Sequence, residues 1–341
     1  MRAEIQTLGE EHLEAATRLL ADRHRRDRTR NPALSARFES AQAVRPLVDE
    51  ALAKPVARGV AALQGGDLVG FLIGTLELPN GWFAGFLPRR SGQIGYAGYA
   101  AAGENPVEIY RELYAALAPF FLDYGAFNQS IEISAGDETA TEAWSSLGFG
   151  RQATLAVRDV AAVEISASSG SEDVDIRRVG PGEIDDVVRL GDILGQHHNS
   201  APIFLPYLPE ETNAGFRTYQ MELLEKPENA HWVAYRDGTA VGMQTFHEPD
   251  FNAMARPERS TYLFIGVTTP DARGGGLGKA LLKRGMDWAR DEGYEHCTLH
   301  FLSANTSASR FWLGSGFVPL SHELSRNIDE RVAWANTRNE R

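Results

Sequence analysis

Apolar residues along this chain alternate between two periods, and the changes of period mark its elements. Tyr262-Leu263-Phe264-Ile265-Gly266-Val267 is aromatic and β-branched, as strands prefer. Pro270 and a glycine cluster then interrupt the pattern. From Leu277 the apolar residues return at helical spacing, with Leu281 and Trp288 in register and Ala280, Leu282 and Ala289 widening the stripe. Cys297-Thr298-Leu299-His300-Phe301 reads as the next strand.

The pattern occurs twice. Glu4-Ile5-Gln6 and the helical run through Leu13, Arg18 and Leu19 match Asp175-Ile176-Arg177 and Ile184, Arg189 and Leu190, 171 residues on. Val69-Gly70-Phe71 and Val241-Gly242-Met243 each follow a turn, Gly65-Gly66-Asp67 and Asp237-Gly238, that predicts a hairpin. Gly125, Ala140, Trp144 and Phe149 match Gly293, Ala308, Trp312 and Phe317 at a constant offset of 168. Between the halves, Ser166 to Asp173 is small and polar. We therefore divide the chain into residues 1–163, a linker at 164–173 and residues 174–341, with the boundary near Ser169.

The halves differ at the glycine cluster. Thr268-Thr269-Pro270-Asp271-Ala272-Arg273-Gly274-Gly275-Gly276-Leu277-Gly278-Lys279 joins strand to helix, and amides at such a helix start suit an anion such as pyrophosphate. A nucleotide-triphosphate loop would need glycine where Arg273 stands and Ser or Thr where Ala280 stands. A dinucleotide fingerprint would need its third glycine where Lys279 stands. In the first half, Arg273, Gly276 and Gly278 are replaced by Asn105, Glu108 and Tyr110, with Pro106 removing a donor. That loop is not expected to hold a polyanion.

The run Arg273 to Gly278, R-x-x-G-x-G, resembles the acetyl-CoA loop of the GNAT acetyltransferase superfamily. Asn305-Thr306-Ser307-Ala308, Phe311-Trp312 and Gly316-Phe317 follow at that family's spacing, except that tryptophan 312 stands where a tyrosine is usual. The resemblance implies an α/β fold: two tandem domains, each a mixed central sheet flanked by helices, the first degenerate and the second binding acetyl-CoA. It further implies that the strands carrying Val267 and His300 diverge around the pantetheine arm. Backbone at Val267, Thr268 and Thr269 would run beside that arm, and Arg273, Gly274, Gly275, Gly276, Leu277, Gly278 and Lys279 would hold the pyrophosphate. An N–H near Gly266 or Val267 would polarise the thioester, and Asn305 would cap its helix, contact the cofactor, or both.

Composition narrows the class. A net charge of −12 argues against general nucleic-acid binding and is compatible with a cationic amine, as with ordinary solubility. The longest apolar stretch, Leu113 to Leu122, is too short for a membrane span. One cysteine, Cys297, and no apolar leader point to a cytoplasmic protein without disulfides, and disfavour a metal site.

Acetyl transfer to an amine needs a proton acceptor, because an ammonium has no lone pair. His300 stands where relatives that modify ribosomal proteins carry a glutamate, and is the candidate catalytic base; Asp250, Glu248 and His247 are alternatives. Trp312 is no useful proton donor, which leaves Ser307, Ser309 or unassisted thiolate departure. His197, His198 and Tyr207, in the connection expected between the first two helices of the second half, are candidate substrate contacts. The expectation is direct acetyl transfer to a small-molecule or peptide amine. A non-catalytic acyl-CoA-binding regulator is the alternative.

Overall fold

In the computed structural model, residues 3–79, 81–162 and 173–336 are described. The linker at 164–173, Asp173 apart, and Ser169 with it lie outside the described residues. The first half contains β1 (Glu4–Thr7), α1 (Glu10–Arg30), α2 (Ala41–Ala53), β2 (Ala57–Gln64), β3 (Asp67–Glu77), β4 (Ser91–Ile94), β5 (Tyr99–Ala101), α3 (Pro106–Asp123), β6 (Asn128–Ser134), α4 (Glu138–Ser146) and β7 (Gly150–Asp159). The second repeats the order with β8 (Asp175–Arg178), α5 (Ile184–Asn199), α6 (Pro209–Leu224), β9 (Ala230–Arg236), β10 (Thr239–His247), β11 (Ser260–Thr268), α7 (Leu277–Asp291), β12 (His296–Leu302), α8 (Thr306–Gly314) and β13 (Val318–Asn327), before a short α9 (Val332–Asn336).

Both expected hairpins form. Gly65 and Gly66 turn β2 into β3, and Asp237 and Gly238 turn β9 into β10, all four at positive φ as two-residue turns of this hand require. The strands join one mixed sheet in the order β1-β2-β3-β4-β6-β13-β7-β12-β11-β10-β9-β8, with β5 on β3. Each half lends its last strand to the other. β7 pairs with β12 from His296↔Asp159 to Leu302↔Ala153, and β13 pairs with β6 from Ser321↔Ser134 to Asn327↔Asn128. β7 and β13 also pair with each other, so the halves share one continuous ladder. This explains why β7 is buried from Ala153 to Val157 without alternation, as a central strand is.

Helices cover both faces. α3 and α4 pack Leu113, Phe121 and Trp144 on one side of the first half, and α7 and α8 pack Leu282, Trp288 and Trp312 in the corresponding place of the second. α1 and α2 share a core with Leu155, Met254 and Leu320, which ties the halves together on the opposite face. Among the described residues no helix is long and apolar enough to cross a membrane.

Candidate functional site

The site begins with a fault in β11. Thr245 faces Ile265 but Phe246 faces Leu263, so Phe264 is an extra residue, a β-bulge. On the other side β11 runs parallel to β12 for only Ser260↔His296, Thr261↔Cys297 and Tyr262↔Thr298; beyond that no pairing continues and the strands part. The N–H of Ile265 bonds Thr245 Oγ1 and that of Thr269 bonds the Val241 carbonyl, both on the β10 side. By strand alternation the N–H of Val267 also faces β10, while those of Gly266 and Thr268 face the gap. A Cβ on Gly266 would lie 2.8 Å from Trp312 Cζ2, so the missing side chain is what lets the indole pack there. Trp312 is thus a wall of the gap and part of the core.

At the open end of the gap stands the N-terminus of α7. Gly274 (φ 85°) and Gly276 (φ 86°) hold left-handed backbone that other residues rarely adopt. Gly276 is the N-cap and offers no side chain to the helix. The first ladder bonds run from the Lys279 and Ala280 N–H groups to the Gly276 carbonyl, so the amides of Leu277 and Gly278 precede the ladder. Gln244 Nε2 donates to the Gly278 carbonyl, and a Cβ at Gly278 would meet Phe311 at 3.2 Å. Arg273, Gly274, Gly275 and Lys279 are exposed around this turn. Donors, helix dipole and two cations at this turn are of the kind that suits a diphosphate. Asn305 caps α8, with Oδ1 accepting from the Ala308 N–H and the Ser307 hydroxyl. Its amide nitrogen is the part left to donate to a ligand. The Ser307 hydroxyl is already engaged there.

Where β11 and β12 part lies a cavity of about 310 Å³. Gly266, His300, Asn305 and Trp312 line it from the gap, and His198 and Tyr207 from above. His197 is not among its lining residues. Both histidines lie on the last turn of α5 instead of in the connection: the helix runs on to Asn199, and the chain breaks only at Ser200 and Pro202. Tyr207 donates its hydroxyl proton to Asp192 and rests on Gly195.

His300 Nδ1 and the Tyr262 hydroxyl are 3.0 Å apart, the donor depending on the tautomer, and the Tyr262 and Phe251 rings pack edge-on against the imidazole. His300 is an exposed position of β12 at the edge of the cavity. The protein crowded around its ring still displaces enough water to push it down to about 4, against the pull of Asp250. His198 is likewise held at about 4 by burial and by His197. Both rings are therefore neutral near pH 7. Of the alternative bases, His247 is tied by Nδ1 to the Glu248 carbonyl, and Asp250 is an exposed carboxylate.

Two parts of the site were not anticipated. His300 also borders a smaller cavity of about 160 Å³, whose wall includes Glu132 and Ser130 of β6 and Ser321 and Glu323 of β13. Burial lifts Glu132 to about 7, although Ser321 donates to it. The larger cavity takes a wall from the first half: Trp82, Phe83 and Phe86, on the turn after β3, reach across to α6. A cluster of aromatics beside glycines at 81–86 was the only signal, and it carries no address.

Residues 199–317 match the acetyltransferase (GNAT) family model. No curated protein matches the sequence. Among solved structures, the chain resembles a GCN5-related N-acetyltransferase from Sphaerobacter thermophilus, at 14% identity and TM-score 0.62, with 96% of each chain covered. A tandem GNAT protein from the clavulanic acid biosynthesis pathway aligns at 14% identity and TM-score 0.52, over 95% of this chain and 98% of that one. A glucosamine N-acetyltransferase region of a fungal multi-domain β-N-acetylglucosaminidase aligns at 13% identity and TM-score 0.57, over 95% of this chain and 38% of that one. At such identities the likeness concerns the fold.

Proposed function

We propose that the second half, whose residues 199–317 match the acetyltransferase (GNAT) family model, transfers an acetyl group from acetyl-CoA directly to an amine. The observation that carries the reading is the open gap between β11 and β12, with the start of α7 at its mouth and His300 at its vertex. The amides of Leu277 and Gly278, which precede the helix ladder, with the Arg273 and Lys279 side chains beside them, would hold the pyrophosphate, and Thr268 and Asn305 would line the pantetheine arm. Bound there, acetyl-CoA supplies an acyl group already activated as a thioester. The Gly266 N–H faces the gap and is suited to stabilise negative charge on a carbonyl oxygen.

His300 takes the proton. With Nδ1–H donated to the Tyr262 oxygen, Nε2 keeps its lone pair, and the low proton affinity keeps it free across the neutral range. An imidazole of this kind is too weak a base to strip a free ammonium. The amine therefore enters in its neutral form, and its nitrogen gives a proton to Nε2 once attack on the thioester carbon has made it acidic. Trp312 releases no proton and the Ser307 hydroxyl is engaged by Asn305, which favours unassisted departure of the thiolate over help from Ser309.

Calorimetric titration of acetyl-CoA into the wild type, Gly276→Glu and Gly276→Asn tests the cradle. Asparagine tolerates left-handed backbone and glutamate adds charge. Saturable binding, kept by Asn and lost by Glu, is expected. Binding indifferent to Glu removes the assignment. CoA release over an amine panel, with and without His300→Ala, then separates an enzyme from a regulator that only binds.

A further inference from the structure

We infer that the acceptor is an apolar monoamine, of the arylalkyl or branched-alkyl class, and that Trp82 of the first half sets the limit of its pocket. This rests on the acetyl-transfer reading above and goes on to the substrate. Among the described residues, the lining of the 310 Å³ cavity contains no aspartate, glutamate, lysine or arginine. Its polar members beyond the gap, His198, Tyr207, Thr212 and Asn213, are uncharged side chains. A second ammonium on a polyamine would lose its water there and find no carboxylate in the lining to pair with directly. The nearest acidic groups stand behind lining side chains: Asp192 accepts from the Tyr207 hydroxyl, and Asp250 is exposed and acts on His300.

The apolar wall is fixed in place. Trp82 stacks on Phe83 at 4.3 Å between centroids and meets Phe216 at 5.3 Å and Phe264 at 6.0 Å. Two glycines permit this approach between the halves: a Cβ on Gly215 would lie 2.9 Å from Trp82 Cβ, and one on Gly85 would strike the Thr212 hydroxyl. The Leu208 N–H also donates to the Gly85 carbonyl, 3.3 Å away. The wall lies on the α5–α6 side of the gap, opposite α7 and α8, which is where an incoming nucleophile has room.

Phenethylamine, hexylamine, spermidine and glucosamine are compared with the wild type, Trp82→Ala and Phe83→Ala. Binding is read by calorimetry in the presence of CoA, and turnover by CoA release from acetyl-CoA and hexanoyl-CoA. Phenethylamine should bind and spermidine and glucosamine should not, and each variant should weaken phenethylamine binding about tenfold while acetyl-CoA affinity stays put, which also shows that the variants fold. Equal or better use of spermidine or glucosamine overturns the inference. So does a Trp82→Ala effect confined to acyl chain length, which would make this wall the acyl side. Selective binding of phenethylamine without turnover upholds the pocket and overturns acetyl transfer instead.

Discussion

The two halves build the same gap and treat it in opposite ways. In the second, β11 and β12 part around open space. In the first, the matching strand is broken into β4 and β5, and the space is filled by Arg23, buried to 1% exposure. Its guanidinium donates to the Tyr99 and Tyr96 carbonyls at 2.6 and 2.7 Å, lies over the Tyr99 ring at 3.9 Å and pairs with Asp27 at 3.4 Å. The helix mouths differ alike. α7 begins on a bare Gly276, whereas α3 begins on Pro106 and its N-cap Asn105 accepts the Glu108 N–H. One copy leaves its gap open; the other fills it with an arginine whose guanidinium is bonded within the chain.

The vertex of the gap gives the largest predicted effect. Residues 168 apart, His300 and Glu132 occupy the same strand position in the two halves and border one cavity. His300→Ala should lower kcat by about 10²- to 10⁴-fold with acetyl-CoA affinity unchanged, whereas Glu132→Ala should leave turnover far less affected. Because the protein crowded around its exposed ring depresses His300 to about 4, its basic form is lost only as pH falls through that value. The acid limb of kcat with saturating amine should therefore lie well below 6.5. An equal loss in the two variants would mean that both halves serve the chemistry.

Next in size is the plug. Arg23→Leu removes two donors from backbone carbonyls and leaves Asp27 buried without its partner, which should cost about 3 kcal/mol of stability by chemical denaturation. Acetyl-CoA titration into the folded variant should give the wild-type affinity. Loss of binding in step with the plug would show that the shared β7–β13 ladder transmits strain between the halves.

The second half was the legible one because its gap and loop depend on backbone, and backbone demands leave marks in sequence. Gly274 and Gly276 are required by φ, Gly266 by the approach of Trp312, and Asn305 by a cap, so the loop and gap follow from local spacing. The repeat exposed the tandem fold for the same reason. The strand exchange left no such mark: β7 and β13 are buried runs that read alike in either sheet, and only three-dimensional pairing assigns them. Arg23 in α1 and Trp82 after β3 are equally silent, since each acts through residues dozens of positions away.

The carboxylate beside His300 sharpens the comparison through pH. Glu132 binds its proton more tightly folded, at about 7, than its ordinary 4.5, because burial opposes its charge. Its contribution is thus most favourable below 4.5 and is lost as pH rises through about 7. Glu132→Gln keeps an acceptor for the Ser321 hydroxyl and removes the charge. The variant should be more stable than the wild type by about 1–2 kcal/mol at pH 8, with the difference closing as pH falls toward 4.5. No difference at pH 8 would mean that water in the cavity or Arg23 solvates the carboxylate.

The smallest effect falls on the mouth of the first half. Asn105→Gly strips the side chain from the start of α3 and makes that cap resemble Gly276, at a cost of a few tenths of a kcal/mol, since glycine is itself a tolerated N-cap. Opening the mouth should not create a second acetyl-CoA site. Pro106 still lacks an N–H, Glu108 still sets a negative charge in the first turn, and Arg23 with its tyrosines still fills the space where pantetheine would lie. Titration of acetyl-CoA into this variant should therefore keep the stoichiometry of the wild type. A second binding event would show that the first half is closed at the helix mouth alone and that its interior is less tightly filled than the buried arginine indicates.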